Sequence, residues 1–219
     1  YNAPPGDTPE NRAAITQRTS TPQDEVILET RNLSRIYPGV TALDSVNYRV
    51  YRNRVNVLIG ENGAGKSTMM KMLAGVESPS SGEIWLDGEP VTLNSTHQAE
   101  RHGISIIFQE LNLFPNMNVM DNIFIGNEFF QRGRINEKYQ YALAKSLLER
   151  LELDVDPYTP LGELGIGHQQ LVEIARALSK DTRVLIMDEP TSALIQSEVK
   201  VLFNVMEQLK RRGVTIIYI

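Results

Sequence analysis

Residues 55–67 read VNVLIGENGAGKS, an apolar run followed by a glycine-rich turn and a lysine-serine pair. The segment from Gly60 to Ser67 matches the pattern Gly-x4-Gly-Lys-Ser/Thr, which binds phosphate when it lies between a strand and a helix. The glycines let backbone N–H groups close around a phosphate, and the start of the following helix adds partial positive charge. The alternative is a glycine-rich turn with a surface lysine, but the flanking strand and helix patterns favour the phosphate loop.

The residues of this loop are expected to contact different parts of a nucleoside triphosphate and its Mg²⁺. Lys66 should reach the β- and γ-phosphates, the Ser67 hydroxyl should ligate Mg²⁺, and Thr68 should touch the α-phosphate. The predicted nucleotide-binding residues of the loop are Gly60, Glu61, Asn62, Gly63, Ala64, Gly65, Lys66, Ser67 and Thr68.

Two adjacent carboxylates, Asp188 and Glu189, follow the apolar run 184–187. Ligands of open α/β sheets bind at the carboxyl ends of the strands, where this pair would lie. Asp188 is expected to hold Mg²⁺ through its water shell, because Mg²⁺ keeps several waters and accepts only one or two carboxylates. Glu189 is expected to polarise the attacking water. An acidic strand end before a turn at Pro190 is the alternative.

The composition limits the classes of protein that this chain can represent. Its 219 residues suit one α/β domain, with 41% hydrophobic and 22% charged residues, and no apolar run reaches the roughly 18 residues of a membrane span. The chain has no cysteine, which excludes disulfides and thiolate metal sites and favours a reducing compartment. The net charge of −5 argues against a nucleic-acid partner.

The order of patterns along the chain predicts one domain with a helical insert. Residues 1–23 are proline-rich and polar, which predicts a disordered tail before a domain over residues 24–219. Short β-rich runs come first, and strand and helix patterns then alternate around an insert at about 115–165. The last apolar run, 214–219, reaches the end of the chain, so we expect the domain to be truncated there.

Four segments together resemble the ATPases of ABC transporters in order and spacing. They are the phosphate loop, Gln109 after the apolar run 104–108, the segment 164–170 (LGIGHQQ) before a helix, and the segment 188–194 (DEPTSAL). The Ile-Gly pair in 164–170 and the Gln-Glu-Leu at 109–111 resemble the N-terminal half of the tandem ATPases of bacterial sugar importers for ribose, xylose and galactose. The resemblance implies a P-loop NTPase core of ABC type with an N-terminal antiparallel β subdomain and a helical insert.

The resemblance also implies roles for single residues. Tyr37 falls where family members stack an aromatic ring on adenine, although ordinary packing is the alternative. Gln109 matches the residue that senses Mg²⁺ and the attacking water, although alone it would be only a strand-end glutamine. The implied catalytic residues are Glu189, Lys66 and Gln109, and the implied metal ligands are Ser67, Gln109 and Asp188.

The segment 164–168, which corresponds to the family signature, departs from the usual Leu-Ser-Gly-Gly-Gln. Gly165 lacks the serine hydroxyl, and Ile166 places a branched side chain where glycine lets the backbone approach a phosphate held by the partner domain. We therefore expect Gly165, Ile166, Gly167 and His168 to face a partner's site but to complete it poorly, giving one hydrolytic and one degenerate site per pair. Ile195 also replaces the usual polar residue after 192–194.

The function that the resemblance implies is ATP hydrolysis that powers import of a sugar or polyol. The implied partners are a second ATPase domain packed head to tail, a transmembrane permease that contacts residues 109–119, and indirectly a periplasmic sugar-binding protein. Residues 109–119 could instead be a plain hydrophobic loop. The implied location is peripheral, on the cytoplasmic face of the inner membrane. Two alternatives remain open here: an ABC ATPase of DNA repair or ribosomes, and a nucleotide-binding regulatory module without turnover.

We expect the chain by itself to bind MgATP but to turn it over slowly. In the family a switch histidine follows a strand that corresponds to residues 214–219, where this sequence ends. His97, His102 and His168 do not lie in that place, and their spacing is not that of a metal site.

Overall fold

The computed structural model describes residues 25–219, so the predicted tail at 1–23 lies outside the described residues. The strands are β1 Val26–Tyr37, β2 Val40–Tyr51, β3 Val55–Val57, β4 Ser81–Leu86, β5 Glu89–Val91, β6 Ile104–Ile107, β7 Phe130–Gln131, β8 Arg134–Ile135, β9 Val184–Met187 and β10 Thr215–Tyr218. The helices are α1 Lys66–Leu73, α2 Thr96–Arg101, α3 Val119–Phe124, α4 Glu137–Arg150, α5 Ile166–Leu178 and α6 Gln196–Arg211, with a 3-10 turn at Leu161–Glu163.

An antiparallel sheet with strand order β2-β1-β4-β5 forms the first layer. Its hairpin between β1 and β2 pairs Tyr37 with Val40. Both strands extend well beyond the short β-rich runs that the sequence suggested. Asn32 and Ser45 look like turn residues in the sequence, but each adopts a positive φ of 48° where the pairing of the two strands shifts register. Such bulges allow a strand to continue through a residue that would otherwise end it.

A parallel sheet with strand order β3-β10-β9-β6 forms the centre of the molecule. Alternate residues of β9 pack into two different cores: Leu185 and Met187 pack against α3–α6, whereas Val184 and Ile186 pack against α1 and the antiparallel sheet. All four residues are buried, as expected of a parallel strand covered on both faces. The predicted fold class, α/β with a phosphate-loop core and an antiparallel subdomain, is confirmed.

Helices α3 and α4 and the hairpin β7-β8 occupy the region where a helical insert was predicted. The limits of the insert as a domain, and those of the domain over residues 24–219, stay predictions. The sequence pattern of α4 predicts that Ala142 shares the buried face with Leu147, but the structure has Ala142 exposed, while Gln140, Ala144 and Leu147 are buried. Ala142 lies two residues, roughly half a helical turn, from both Gln140 and Ala144, so it points away from the core.

Between residues 25 and 219, no helix has the length and apolar character needed to cross a membrane.

Candidate functional site

The phosphate loop connects β3 to α1 and has the backbone conformation that its glycines predict. Gly63 and Gly65 have positive φ values of 82° and 84°, a region that L side chains rarely occupy. A Cβ added to Gly65 would also lie 2.5 Å from the carbonyl oxygen of Ala42 in β2. Gly65 is therefore required both by its own backbone angles and by the close approach of the antiparallel sheet.

Lys66 begins α1 and bends back over the loop. Its Nζ donates hydrogen bonds to the carbonyl oxygens of Gly60 at 2.8 Å and Glu61 at 2.9 Å. No side chain among residues 25–219 caps the start of α1, which leaves its first N–H groups and their partial positive charge for an anion. The ammonium and the helix start lie on the same loop, an arrangement that suits a phosphate chain.

Asp188 follows β9 directly, and its Oδ1 accepts a hydrogen bond from the Ser67 hydroxyl at 3.4 Å. The main-chain N–H of Asp188 donates to the carbonyl oxygen of Ile107 at 3.0 Å, which fixes the start of this turn against β6. Burial raises the pKa of the Asp188 carboxyl; the Ser67 hydrogen bond lowers it, and the neighbouring charge of Glu189 raises it. The phosphate loop and the first predicted carboxylate are therefore in contact.

This pair fits Mg²⁺ by the chemistry of its donor atoms. A hydroxyl and a carboxylate are hard oxygen ligands, and Mg²⁺ binds through few protein groups together with water and phosphate oxygens. The described part of the chain contains no group of three or more His, Cys, Asp or Glu that could hold a metal unaided. Ser67 and Asp188 would thus hold Mg²⁺ only together with a phosphate ligand.

Glu189 and Gln109 extend beyond the same edge of the parallel sheet. Strands β6 and β9 pair Ile107 with Met187, so each of the two polar residues comes two positions after a paired residue. Both side chains are exposed. Glu189 has a φ of 47°, in the left-handed region that non-glycine residues rarely adopt. Residues in such conformations concentrate at functional sites, where the surrounding structure maintains them.

Tyr37 ends β1 and is held by two charged neighbours. Its hydroxyl donates to a carboxylate oxygen of Glu77, and the guanidinium of Arg35 lies 4.8 Å from the ring centroid. Arg35 also pairs with Glu77 at 3.3 Å. One face of the ring is thus occupied by a cation, and its stacking on adenine stays a prediction.

The signature segment forms the start of α5. Gly165 is the N-cap, Ile166 is 48% exposed and His168 is exposed, while Gly167 is buried. Within residues 25–219, no hydrogen bond joins this segment to the phosphate loop. That these residues face a partner's site stays a prediction.

Two buried or half-buried glutamates were missed by the sequence reasoning. Glu198 in α6 accepts hydrogen bonds from the amides of Gly167 at 3.2 Å and Ile195 at 3.0 Å. Glu173 lies on the buried side of α5, and burial raises its carboxyl pKa to about 7. Both left a signal: Glu198 stands at the third position of a helix, where a capping-box acid occurs, and Glu173 interrupts an apolar stripe.

A family model described as ABC transporter matches residues 43–192, more than half of the chain. The chain belongs to the ABC transporter family. The xylose import ATP-binding protein of Thermoanaerobacter pseudethanolicus is 50% identical to this ABC chain over 197 residues, which is 89% of the chain and 39% of that protein. The ribose import ATP-binding protein of Rhodopirellula baltica is 49% identical over 197 residues, 90% of the chain and 39% of that protein. The chain spans about two-fifths of the length of these relatives.

Solved ABC structures share its fold. An ATP-binding cassette of an ABC transporter in an ADP conformation gives a TM-score of 0.77 at 27% identity and covers 89% of this chain and 80% of its own. The cbiO1 protein of Clostridium perfringens, part of an ABC transporter complex, gives 0.76 at 28% identity and covers 89% and 78%. The predicted family, and the resemblance to sugar-importer ATPases, are confirmed.

Proposed function

We propose that this chain binds MgATP at residues 60–68 and hydrolyses it as part of a sugar-import ATPase. The observation that carries the proposal is the contact between the Ser67 hydroxyl and the Asp188 carboxylate, 3.4 Å apart, beside a loop whose glycines have the required backbone angles. This contact supports a phosphate cradle and two hard oxygen ligands at one sheet edge. Catalysis of phosphoryl transfer depends on positioning and charge neutralisation, which these groups can supply.

The chain's residues would act on the γ-phosphate and on the attacking water. Lys66 and the loop amides would stabilise the negative charge on the phosphate oxygens, and Ser67 and Asp188 would hold Mg²⁺. Bound Mg²⁺ would neutralise part of the phosphate charge. Glu189 would orient and polarise the water from the edge of the sheet, and Gln109 would contact the metal and the water from the neighbouring strand end.

The import role is supported by the relatives, which are named import ATP-binding proteins for xylose and ribose. These names favour a transport ATPase over a DNA-repair, ribosome-associated or purely regulatory protein. A sugar or polyol is the proposed cargo, and a periplasmic sugar-binding protein the indirect partner. We place the protein peripherally on the cytoplasmic face of the inner membrane, where residues 109–119 would contact the permease. Phe114, in this segment, is 50% exposed, which suits a protein contact.

The second ATPase domain that completes the site would pack head to tail, as the other half of a tandem protein or as a second subunit. The signature at Gly165–His168 would face that domain's phosphate loop. Because Gly165 lacks a hydroxyl and the Gly167 amide is already bonded to Glu198, we propose that the partner's site is the degenerate one. The site at Lys66 would then be the hydrolytic site of the pair.

The ATP site is tested by titration calorimetry of the chain with ATP, with and without Mg²⁺. Wild type should bind, Lys66→Ala should weaken binding at least about tenfold, and Lys145→Ala, an exposed lysine on α4, should change nothing. Glu189→Gln should bind MgATP normally. Equal binding by wild type and Lys66→Ala would refute the site.

The import role is tested with the full-length protein and its permease in proteoliposomes. ATP-driven uptake of xylose, ribose or galactose is expected, and Lys66→Ala should abolish it. Uptake and ATP turnover that persist in Lys66→Ala would mean that the partner's site is hydrolytic. Normal ATP binding without uptake of any sugar would contradict the import role but not the ATP site.

A further inference from the structure

Both backbone polar groups of Asn112 are bonded to side chains of α5. The main-chain N–H of Asn112 donates to Glu173 Oε1 at 3.4 Å, and its carbonyl oxygen accepts from Arg176 Nη1 at 2.8 Å. Glu173 and Arg176 are three residues apart, so they lie on the same face of the helix. At this spacing the carboxylate accepts from the N–H of one residue, and the guanidinium donates to the carbonyl oxygen of the same residue.

These contacts join two segments that belong to different parts of the proposed ATP site. Asn112 comes three residues after Gln109, at the start of the segment that leaves the parallel sheet. Helix α5 begins with the signature residues at its other end. Because a helix of 13 residues is rigid along its axis, a displacement near Asn112 would be carried to the signature residues.

We propose that Glu173 and Arg176 are positioning residues that hold the backbone of Asn112 and so make Gln109 and the signature end of α5 move together. Neither residue contacts the proposed nucleotide site, and both act through Asn112. The functional meaning of this coupling rests on the proposed ATP site, whereas the contact itself does not.

The surroundings of Glu173 show that its carboxylate is not placed there for packing alone. Glu173 is 6% exposed, and its Oε2 has no hydrogen-bond partner among residues 25–219. It borders a cavity of about 230 Å³ whose other charged groups are Glu100, Arg176 and Lys180. Lys180 is paired with Glu100 at 2.6 Å, which leaves Arg176 as the cation that acts on Glu173.

A buried acid with one unpartnered oxygen is costly to keep, so a bonding role accounts for it better than apolar packing does. Burial raises its pKa to about 7. Oε1 can accept the Asn112 N–H in either protonation state, so the contact does not depend on the charge of Glu173.

The contact is tested by amide hydrogen exchange of the nucleotide-free chain, read by NMR at Asn112 and, as a measure of global opening, at Ile186 in β9. Glu173→Gln keeps an acceptor and should leave the rate at Asn112, taken relative to that at Ile186, within about twofold. Glu173→Met and Arg176→Met should each speed exchange at Asn112 relative to Ile186 about tenfold, the effect of losing one hydrogen bond. An unchanged rate at Asn112, or equal acceleration at both amides, would overturn the proposal.

The coupling is tested by adding MgATP to the same variants. In wild type and Glu173→Gln, MgATP should alter exchange both at Asn112 and at Gly167; in Glu173→Met the response at Gly167 should disappear, with ATP affinity within about twofold. A response at Gly167 that persists in Glu173→Met overturns the coupling. If wild type does not bind ATP, the proposed ATP site is refuted, and the coupling with it. The contact of Glu173 and Arg176 with Asn112 is still decided by the exchange rates measured without nucleotide.

Discussion

The carboxylate of Glu198 occupies the space that a side chain on Gly167 would need. An added Cβ on Gly167 would lie 2.5 Å from Glu198 Cδ and Oε1, while the Gly167 amide donates to the same oxygen at 3.2 Å. The glycine that this signature retains is therefore explained within the chain by Glu198, independently of any partner's phosphate.

The substitution Gly167→Ala should displace Glu198 and lose its bonds to both helix starts. We expect Gly167→Ala to destabilise the wild-type chain. In a chain that already carries Glu198→Ala it should raise the free energy of unfolding by up to about 1 kcal/mol, because alanine is the better helix residue once the acid is gone. The coupling between the two positions should be about 1–2 kcal/mol by a double-mutant cycle in urea unfolding.

The matched control is Gly165→Ala, since a Cβ there would meet no atom within 4 Å. Gly165 is the N-cap, where alanine is less favourable than glycine, so this variant should cost up to about 1 kcal/mol, by the same amount in both backgrounds. Additive effects of Gly167→Ala and Glu198→Ala would contradict the steric account.

The start of α6 should be stabilised by Ile195→Thr. Ile195 is the N-cap, is 66% exposed and offers no side-chain acceptor, although Glu198 already accepts its amide. A hydroxyl there would complete a capping box and raise the free energy of unfolding by about 1 kcal/mol. Ile195→Val, which keeps the shape without the hydroxyl, should have no such effect, and equal stability of the two variants would count against the capping account.

The free energy of unfolding should depend on pH through Glu173. Its pKa is raised by burial from 4.5 to about 7, so the folded chain binds this proton more tightly than the unfolded chain. The stabilisation of the folded chain by this proton is therefore complete below about pH 4.5. It is lost as pH rises through about 7, which lowers the free energy of unfolding by about 3 kcal/mol. Glu173→Gln cannot ionise, so its free energy of unfolding should rise by this amount relative to that of wild type between pH 4.5 and 8. Denaturant unfolding at several pH values measures this difference, and parallel pH profiles of the two proteins would contradict the prediction.

MgATP binding should weaken in acid through Asp188. Burial raises the pKa of this carboxyl, so a proton should compete with Mg²⁺ at a higher pH than for an exposed aspartate. Ser67→Ala removes the hydrogen bond that lowers the pKa and should move the transition further upward. Asp188→Asn should lose the Mg²⁺-dependent part of the affinity but not the Mg²⁺-free part; calorimetry at several pH values measures both.

The fold and the phosphate site were largely predictable because local rules decide them. Glycine spacing between a strand and a helix fixed the conformation at Gly63 and Gly65, and an apolar run before two carboxylates located β9 and Asp188. Strand lengths were less predictable: Asn32 and Ser45 look like turn residues, and only pairing with a neighbouring strand turns them into bulges.

The acids at 173 and 198 could not be assigned a role from sequence. Glu173 is 61 residues from Asn112, and Glu198 is 31 residues from Gly167, so their partners are set by tertiary packing of α5. A charge inside an apolar stripe signals that a partner exists without saying which group it is.

The left-handed backbone of Glu189 has an evolutionary consequence. At a φ of 47°, glycine, asparagine and aspartate are tolerated more easily than glutamate. In a library of all twenty residues at this position, fitness scored by folded protein alone should rank glycine and asparagine above glutamate. Fitness scored by ATP turnover should reverse that order. Selection that keeps glutamate here would thus act against the preference of the backbone, and drift without selection for turnover should replace it.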